Sequence, residues 1–119
     1  MTNLTQADFN NLKTSESIYL IDFWAEWCGP CKAMNPVLER LSADKDLVEA
    51  KINFAKVDTE SEQDLTVQFG IRGIPCFKLL HFDGKGDYKV LGEFIGVQSD
   101  PLKFKTQILD LAKKAEIAA

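Results

Sequence analysis

Residues 18–32 read Ile18-Tyr19-Leu20-Ile21-Asp22-Phe23-Trp24-Ala25-Glu26-Trp27-Cys28-Gly29-Pro30-Cys31-Lys32. The first seven are β-branched, aromatic and apolar without alternation, the pattern of a central strand covered on both faces. One carboxylate, Asp22, interrupts the run. From Cys31 onward Met34, Val37, Leu38 and Leu41 recur at helical spacing, so the strand hands over to a helix with one apolar stripe. Pro36 lies inside that helix and predicts a kink, because proline has no N–H to donate to the preceding turn.

This junction gives the cysteines their chemistry. Cys28 stands near the positive end of the helix dipole, which favours its thiolate. Cys28 and Cys31, separated by two residues across a first helical turn, can close a disulfide with little backbone movement. The pair can therefore cycle between dithiol and disulfide.

On the amino-terminal side, Thr5 and Asp8 form an acidic capping box and Leu4 and Phe9 a hydrophobic staple, predicting a helix over about Gln6–Lys13. On the other side, Ile52–Val57 reads as a strand and Ser61–Phe69 as a helix closed by Gly70. Cys76–Phe82 is a further strand, Asp83-Gly84-Lys85-Gly86 a turn, and Tyr88–Ile95 the returning strand, bulged at Gly92. Asp100 caps a last helix with Pro101 at its first position and Phe104, Ile108, Leu111 and Ala115 as its buried stripe. The order helix, strand, helix, strand, helix, strand, strand, helix implies an α/β fold, a mixed sheet with helices on both faces. A chain of 119 residues matches one domain, expected to span 1–119.

The net charge of −4, with lysines scattered among acids, argues against nucleic acid or an anionic membrane as a partner. Met1–Asn11 has neither the basic start nor the apolar run of a secretory signal, and no segment approaches the ~20 apolar residues of a membrane span. Three cysteines are an odd count, which fits a reducing compartment with a functional pair, so the expected location is cytoplasmic.

A Cys-Gly-Pro-Cys preceded by Trp27, after a strand ending Asp22-Phe23-Trp24-Ala25, resembles the signature of the thioredoxin family. Gly70-Ile71-Arg72-Gly73-Ile74-Pro75 resembles that family's second landmark, and the similarity extends through most of the chain. The resemblance implies a thioredoxin fold in which Pro75 is cis and faces the cysteines. It implies that Cys28 attacks a protein disulfide, that Cys31 resolves the mixed disulfide, and that Asp22 takes up the proton of Cys31. It matches Lys56 to a lysine that pairs with Asp22, so that burial raises the pKa of Asp22 while Lys56 lowers it and the two titrate together. Substrate segments are expected to lie extended beside Ile74 and Pro75, with Trp27, Gly29 and Pro30 as a flat contact surface and Gly96 flattening the groove. The implied partners are disulfide-containing proteins and a flavoprotein thioredoxin reductase as electron donor. No organic cofactor or metal is implied, and a monomer is the default.

Other readings stand beside this one. Cys28 and Cys31 could be half of a zinc site, but only Cys76 and His81 remain to complete four ligands. Residues other than Gly-Pro between the cysteines usually mark an oxidase or isomerase, and a docking module would work without either thiol. Trp24 reads as structural and Trp27 as partly exposed beside the thiol; the lone His81 is assigned no role. Two departures from the family pattern stand out: Cys76 follows Pro75 where threonine is usual, and reads either as an inert buried thiol, the favoured case, or as a third thiol close enough to perturb the pair. The segments Asp44–Lys51 and Asp83–Gly92 look longer than in compact bacterial members.

Overall fold

The computed structural model describes residues 1–118; Ala119, the end of the expected domain span, lies outside the described residues. In chain order the elements are β1 (Thr2–Asn3), α1 (Gln6–Leu12), β2 (Glu16–Trp24), α2 (Gly29–Ser42), α3 (Lys45–Glu49), β3 (Ile52–Asp58), α4 (Gln63–Gln68), β4 (Cys76–Asp83), β5 (Tyr88–Ile95) and α5 (Pro101–Ala118). The strands form one five-stranded sheet in the order β1-β3-β2-β4-β5. β1 and β2 run parallel to β3, whereas β4 lies antiparallel to β2 and to β5. The run 18–24, apolar but for Asp22, is therefore internal, paired on both sides and covered above and below.

Side chains of β2 alternate between two cores, as a strand period of two requires. Ile21 and Phe23 enter a core with Phe9 of α1, Leu65 of α4, and Leu80 and Phe82 of β4. Leu20 enters the opposite core with Met34, Leu38 and Leu41 of α2, Leu47 of α3, and Phe104 and Ile108 of α5. By the same alternation Asp22 faces the side covered by α2, the helix that begins at the cysteine pair.

The local signals at the start of the chain act as written. The Thr5 hydroxyl accepts from the Asp8 N–H at 3.1 Å and the Asp8 carboxylate from the Thr5 N–H at 3.0 Å, closing the capping box of α1. Leu4 and Phe9 are both buried in the first core. Phe9 is a hub there, with ring centroids 5.5 Å from each of Phe69, Phe82 and Tyr88.

Two elements are absent from the sequence reading. The two residues of β1 carry no pattern of their own and are ordered by register with Ala55 and Lys56 of β3. The segment after α2, marked in the sequence only as longer than in compact bacterial members, contains the five-residue α3. Asp44 caps it through the Asp46 and Leu47 N–H groups, and Lys105 of α5 clamps Asp44 and Asp46 at 2.9 and 2.8 Å. The bulge in β5 falls at Leu91, one residue before the expected position, since Leu79 faces Gly92 and Leu80 faces Val90. Gly92 matters for a different reason: a Cβ there would lie 2.5 Å from Leu111 Cδ1, so its absence lets α5 close on the sheet. In α5 the buried line is Phe104, Ile108 and Ala112, with Leu111 and Ala115 half-buried at its margin.

Replacing Phe9 by alanine removes the ring around which three aromatics pack, and is expected to cost about 3–5 kcal/mol of stability in a urea titration. A loss under ~1 kcal/mol would contradict the role given to it.

Candidate redox site

The carboxyl end of β2 delivers Cys28 to the N-cap of α2, with extended backbone angles φ −88° and ψ 103°. Gly29 and Pro30 follow in the first turn, where proline's missing N–H costs nothing. Cys31 is then one turn in, and the two cysteines are joined by a disulfide with Cα atoms 5.3 Å apart. The Cys31 N–H donates to Cys28 Sγ at 3.1 Å. In the reduced protein that donor and the helix dipole act on the same sulfur and favour its thiolate. Both sulfurs are largely covered, whereas Trp27, Gly29 and Pro30 beside them are exposed.

The loop before β4 forms the facing wall. The Ile74–Pro75 peptide bond is cis, as the family resemblance implies, and Ile74 packs against Cys28 and Cys31. Gly96 has φ +85°, a conformation that residues with a Cβ rarely adopt, and its N–H donates to the Pro75 carbonyl at 2.8 Å. Around this wall Trp27, Ile95 and Val97 are exposed apolar side chains, at 70%, 64% and 51% of their surface. Trp27 is held by a hydrogen bond from its Nε1 to Glu60 Oε1, 2.7 Å long.

Asp22 is 1% exposed, and neither carboxylate oxygen accepts a hydrogen bond from a protein group among the described residues. Burial pushes its pKa up to about 7, and the positive charge of Lys56 draws it partway back. The expected pairing with Lys56 takes a different form. Although the two residues are register partners on β2 and β3, the Lys56 ammonium donates to Asn35 Oδ1 at 3.0 Å and stands 4.5 Å from the Trp24 ring centroid. Lys56 thus acts on Asp22 through space, not by contact. Trp24, half-buried, is tied by its Nε1 to Asn3 Oδ1 at 2.9 Å.

The third cysteine is set apart. Cys76 is a free thiol at 3% exposure, packed in the first core, and burial first and Glu93 second push its pKa up to about 11. His81 lies towards the far end of β4, 3.2 Å from Glu16. With Cys28 and Cys31 joined to each other and His81 bound to Glu16, the four residues do not converge on one point, and no metal-binding group of His, Cys, Asp or Glu occurs among the described residues.

Of the residues singled out from sequence, the structure gathers Cys28, Cys31, Ile74, Pro75 and Gly96 at one edge, with Trp27, Gly29 and Pro30 on its rim. Asn35 and Glu60 were not anticipated. Each makes its bond across more than twenty residues of sequence, to Lys56 and Trp27, and neither type nor spacing announces it.

A disulfide-bonded cysteine pair at the head of a helix, set on a mixed sheet and faced by a cis proline, defines the class of dithiol–disulfide proteins. The family model described as thioredoxin matches residues 1–105. The chain belongs to the thioredoxin family. It is 46% identical over 78 residues to a putative thioredoxin 2 of Streptomyces coelicolor, a match spanning 65% of this chain and 54% of that protein's length. It is 37% identical over 92 residues to thioredoxin of Staphylococcus aureus, covering 77% of this chain and 84% of the relative. Oxidised mitochondrial thioredoxin 3 of Saccharomyces cerevisiae is similar in structure, with TM-score 0.72 and 31% identity over 92% of this chain and 94% of that one.

The titration of Asp22 makes stability depend on pH. In the unfolded chain the carboxyl loses its proton above pH 3.8, but in the folded chain it keeps it up to about pH 7. Between those values unfolding releases a proton, so stability falls as pH rises and levels off above pH 7. A displacement from 3.8 to about 7 corresponds to about 4 kcal/mol. Asp22→Asn is therefore expected to unfold at higher denaturant than the parent at pH 8, with the gap closing towards pH 4. A gap independent of pH would contradict the raised pKa.

Proposed function

We propose that this chain reduces disulfide bonds in other proteins, working as one domain and as a monomer in the cytoplasm. The reading is carried by Cys28, which caps α2, takes the Cys31 N–H on its sulfur and is joined to Cys31 by a disulfide. No helix among the described residues is long and apolar enough to cross a membrane.

In this mechanism the Cys28 thiolate attacks one sulfur of a substrate disulfide. The substrate S–S bond breaks, its other sulfur leaves as a thiolate that takes a proton, and Cys28 is left in a mixed disulfide. Cys31 then gives its proton to the Asp22 carboxylate and attacks Cys28 Sγ, expelling the second substrate sulfur, which also takes a proton. Counting the proton that Cys28 had given up to solvent and the one that Asp22 passes on, two electrons and two protons have moved from the dithiol to the substrate, and the enzyme stands in the disulfide state of the structure. A flavoprotein thioredoxin reductase returns the same two electrons and two protons. The chemistry draws on the cysteine pair alone, with no organic cofactor or metal.

A pKa of about 7 suits Asp22 to this task, since a carboxyl poised near the working pH both accepts and releases a proton. Substrate segments lie extended along Ile74, whose main chain makes no hydrogen bond outside the strands among the described residues, while the Pro75 carbonyl is already taken by Gly96. Trp27, Gly29 and Pro30 supply the flat contact surface, and Gly96 leaves the groove floor without a side chain.

Cys31→Ser is expected to accumulate one mixed disulfide per chain through Cys28 when mixed with an oxidised protein, read by mass under non-reducing conditions. Cys28→Ser should form none and reduce nothing. Adducts carried by Cys76 instead would reverse the assignment. Redox equilibration followed by thiol counting separates this reading from an isomerase, because thioredoxins poise near about −270 mV and disulfide isomerase near about −180 mV. The value expected here is the lower one.

A further inference from the structure

Lys56 and Asp22 are register partners on adjacent parallel strands, whose backbones run about 4.8 Å apart. A lysine stem has the reach to set its ammonium against that carboxylate. Instead the ammonium is 3.0 Å from Asn35 Oδ1 and 4.5 Å from the Trp24 ring centroid, and neither buried oxygen of Asp22 is bonded to a protein group among the described residues. An amide carbonyl and an indole face satisfy a cation without supplying a negative charge. Asn35 lies one turn along α2 from Cys31, so the anchor and the resolving cysteine share one rigid element.

We propose that Asn35 is a positioning residue for proton transfer at the cysteine pair: together with Trp24 it holds the Lys56 ammonium off Asp22 and leaves the buried carboxyl free to carry a proton. The proposal rests on the reading of Asp22 as the acceptor of the Cys31 proton. A direct ion pair would keep Asp22 ionised and make it a weaker base. The groups that bear on Asp22 are few. Lys56 on β3 is the cation that acts on it, Cys76 on β4 is a neutral thiol that feels its charge, and α2 presents the uncharged Asn35. Loss of the Asn35 carbonyl therefore leaves the Asp22 carboxylate as the strongest acceptor within reach of Lys56.

The test is a carbon-NMR titration of the Asp22 carboxyl in the oxidised protein, where Cys28 and Cys31 do not titrate. In Asn35→Ala the midpoint is expected to fall by about one pH unit. Lys56→Met should raise it, and Asn35→Ala should add nothing in the Lys56→Met background. A midpoint unchanged or raised in Asn35→Ala, or a fall that persists without Lys56, overturns the proposal. The pH profile of mixed-disulfide resolution, measured in the same variants, separates the two readings. A profile that follows the titration supports both. A titration that moves while the profile stays fixed removes Asp22 as the base and leaves the anchoring of Lys56 by Asn35 standing.

Discussion

The direct passage from β2 into α2 is the constraint on which the rest depends. Only a few residues separate the last strand residue, Trp24, from the N-cap, Cys28. Because β2 is the central strand, paired with β3 and β4, its carboxyl end is held from both sides and the helix that follows has a fixed origin. A sulfur at the N-cap then receives a backbone N–H as a consequence of helix geometry, with no side chain needed to activate it. The same position leaves Trp27 outside the core, where its indole is steadied by Glu60.

The site works against the fold that carries it. Burying a carboxyl without partners in the middle of a sheet costs stability, and the chain offsets this on the opposite face. There the rings of Phe9, Phe69, Phe82 and Tyr88 pack edge to face or tilted at 5.4–6.0 Å. The separation is topological: alternation along β2 sends Ile21 and Phe23 into the aromatic core and Asp22 to the other side. One strand therefore serves as structural spine on one face and as chemical support on the other.

What the sequence made legible follows from the range of each interaction. The capping box at Thr5 and Asp8, the proline at the head of α5 and the disulfide-forming pair are all set within one helical turn, so local spacing carries them. The strand run 18–24 was legible because burial on both faces erases alternation. β1 was not, because it is ordered by Ala55 and Lys56 far along the chain, and α3 was not, because a five-residue helix is too short for a period to show even though Asp44 caps it locally, and its clamp is the distant Lys105. The site divides in the same way. The cysteines could be read directly, while the roles of Asp22 and Lys56 came only through family resemblance. Even then the expected contact between them was diverted by Asn35, whose bond to Lys56 spans 21 residues. The bulge sits one position before the glycine that would ordinarily mark it, because Gly92 answers to the approach of Leu111.

Cys76 shows how a third thiol can coexist with a two-electron couple. It adjoins Pro75, at the wall facing the disulfide, and sequence alone would allow it to exchange with the pair. Exchange requires a thiolate and an open line of attack. Cys76 has neither: it is packed against the aromatic core on the far side of the sheet from α2, and burial together with the charge of Glu93 keeps its proton in place up to about pH 11. Cys28, though nearly as covered, carries an N–H on its sulfur and stands beside the exposed Trp27, Gly29 and Pro30. Selectivity among three chemically identical side chains thus comes from which face of the sheet each occupies, and strand and helix periodicity decide that before any thiol reacts.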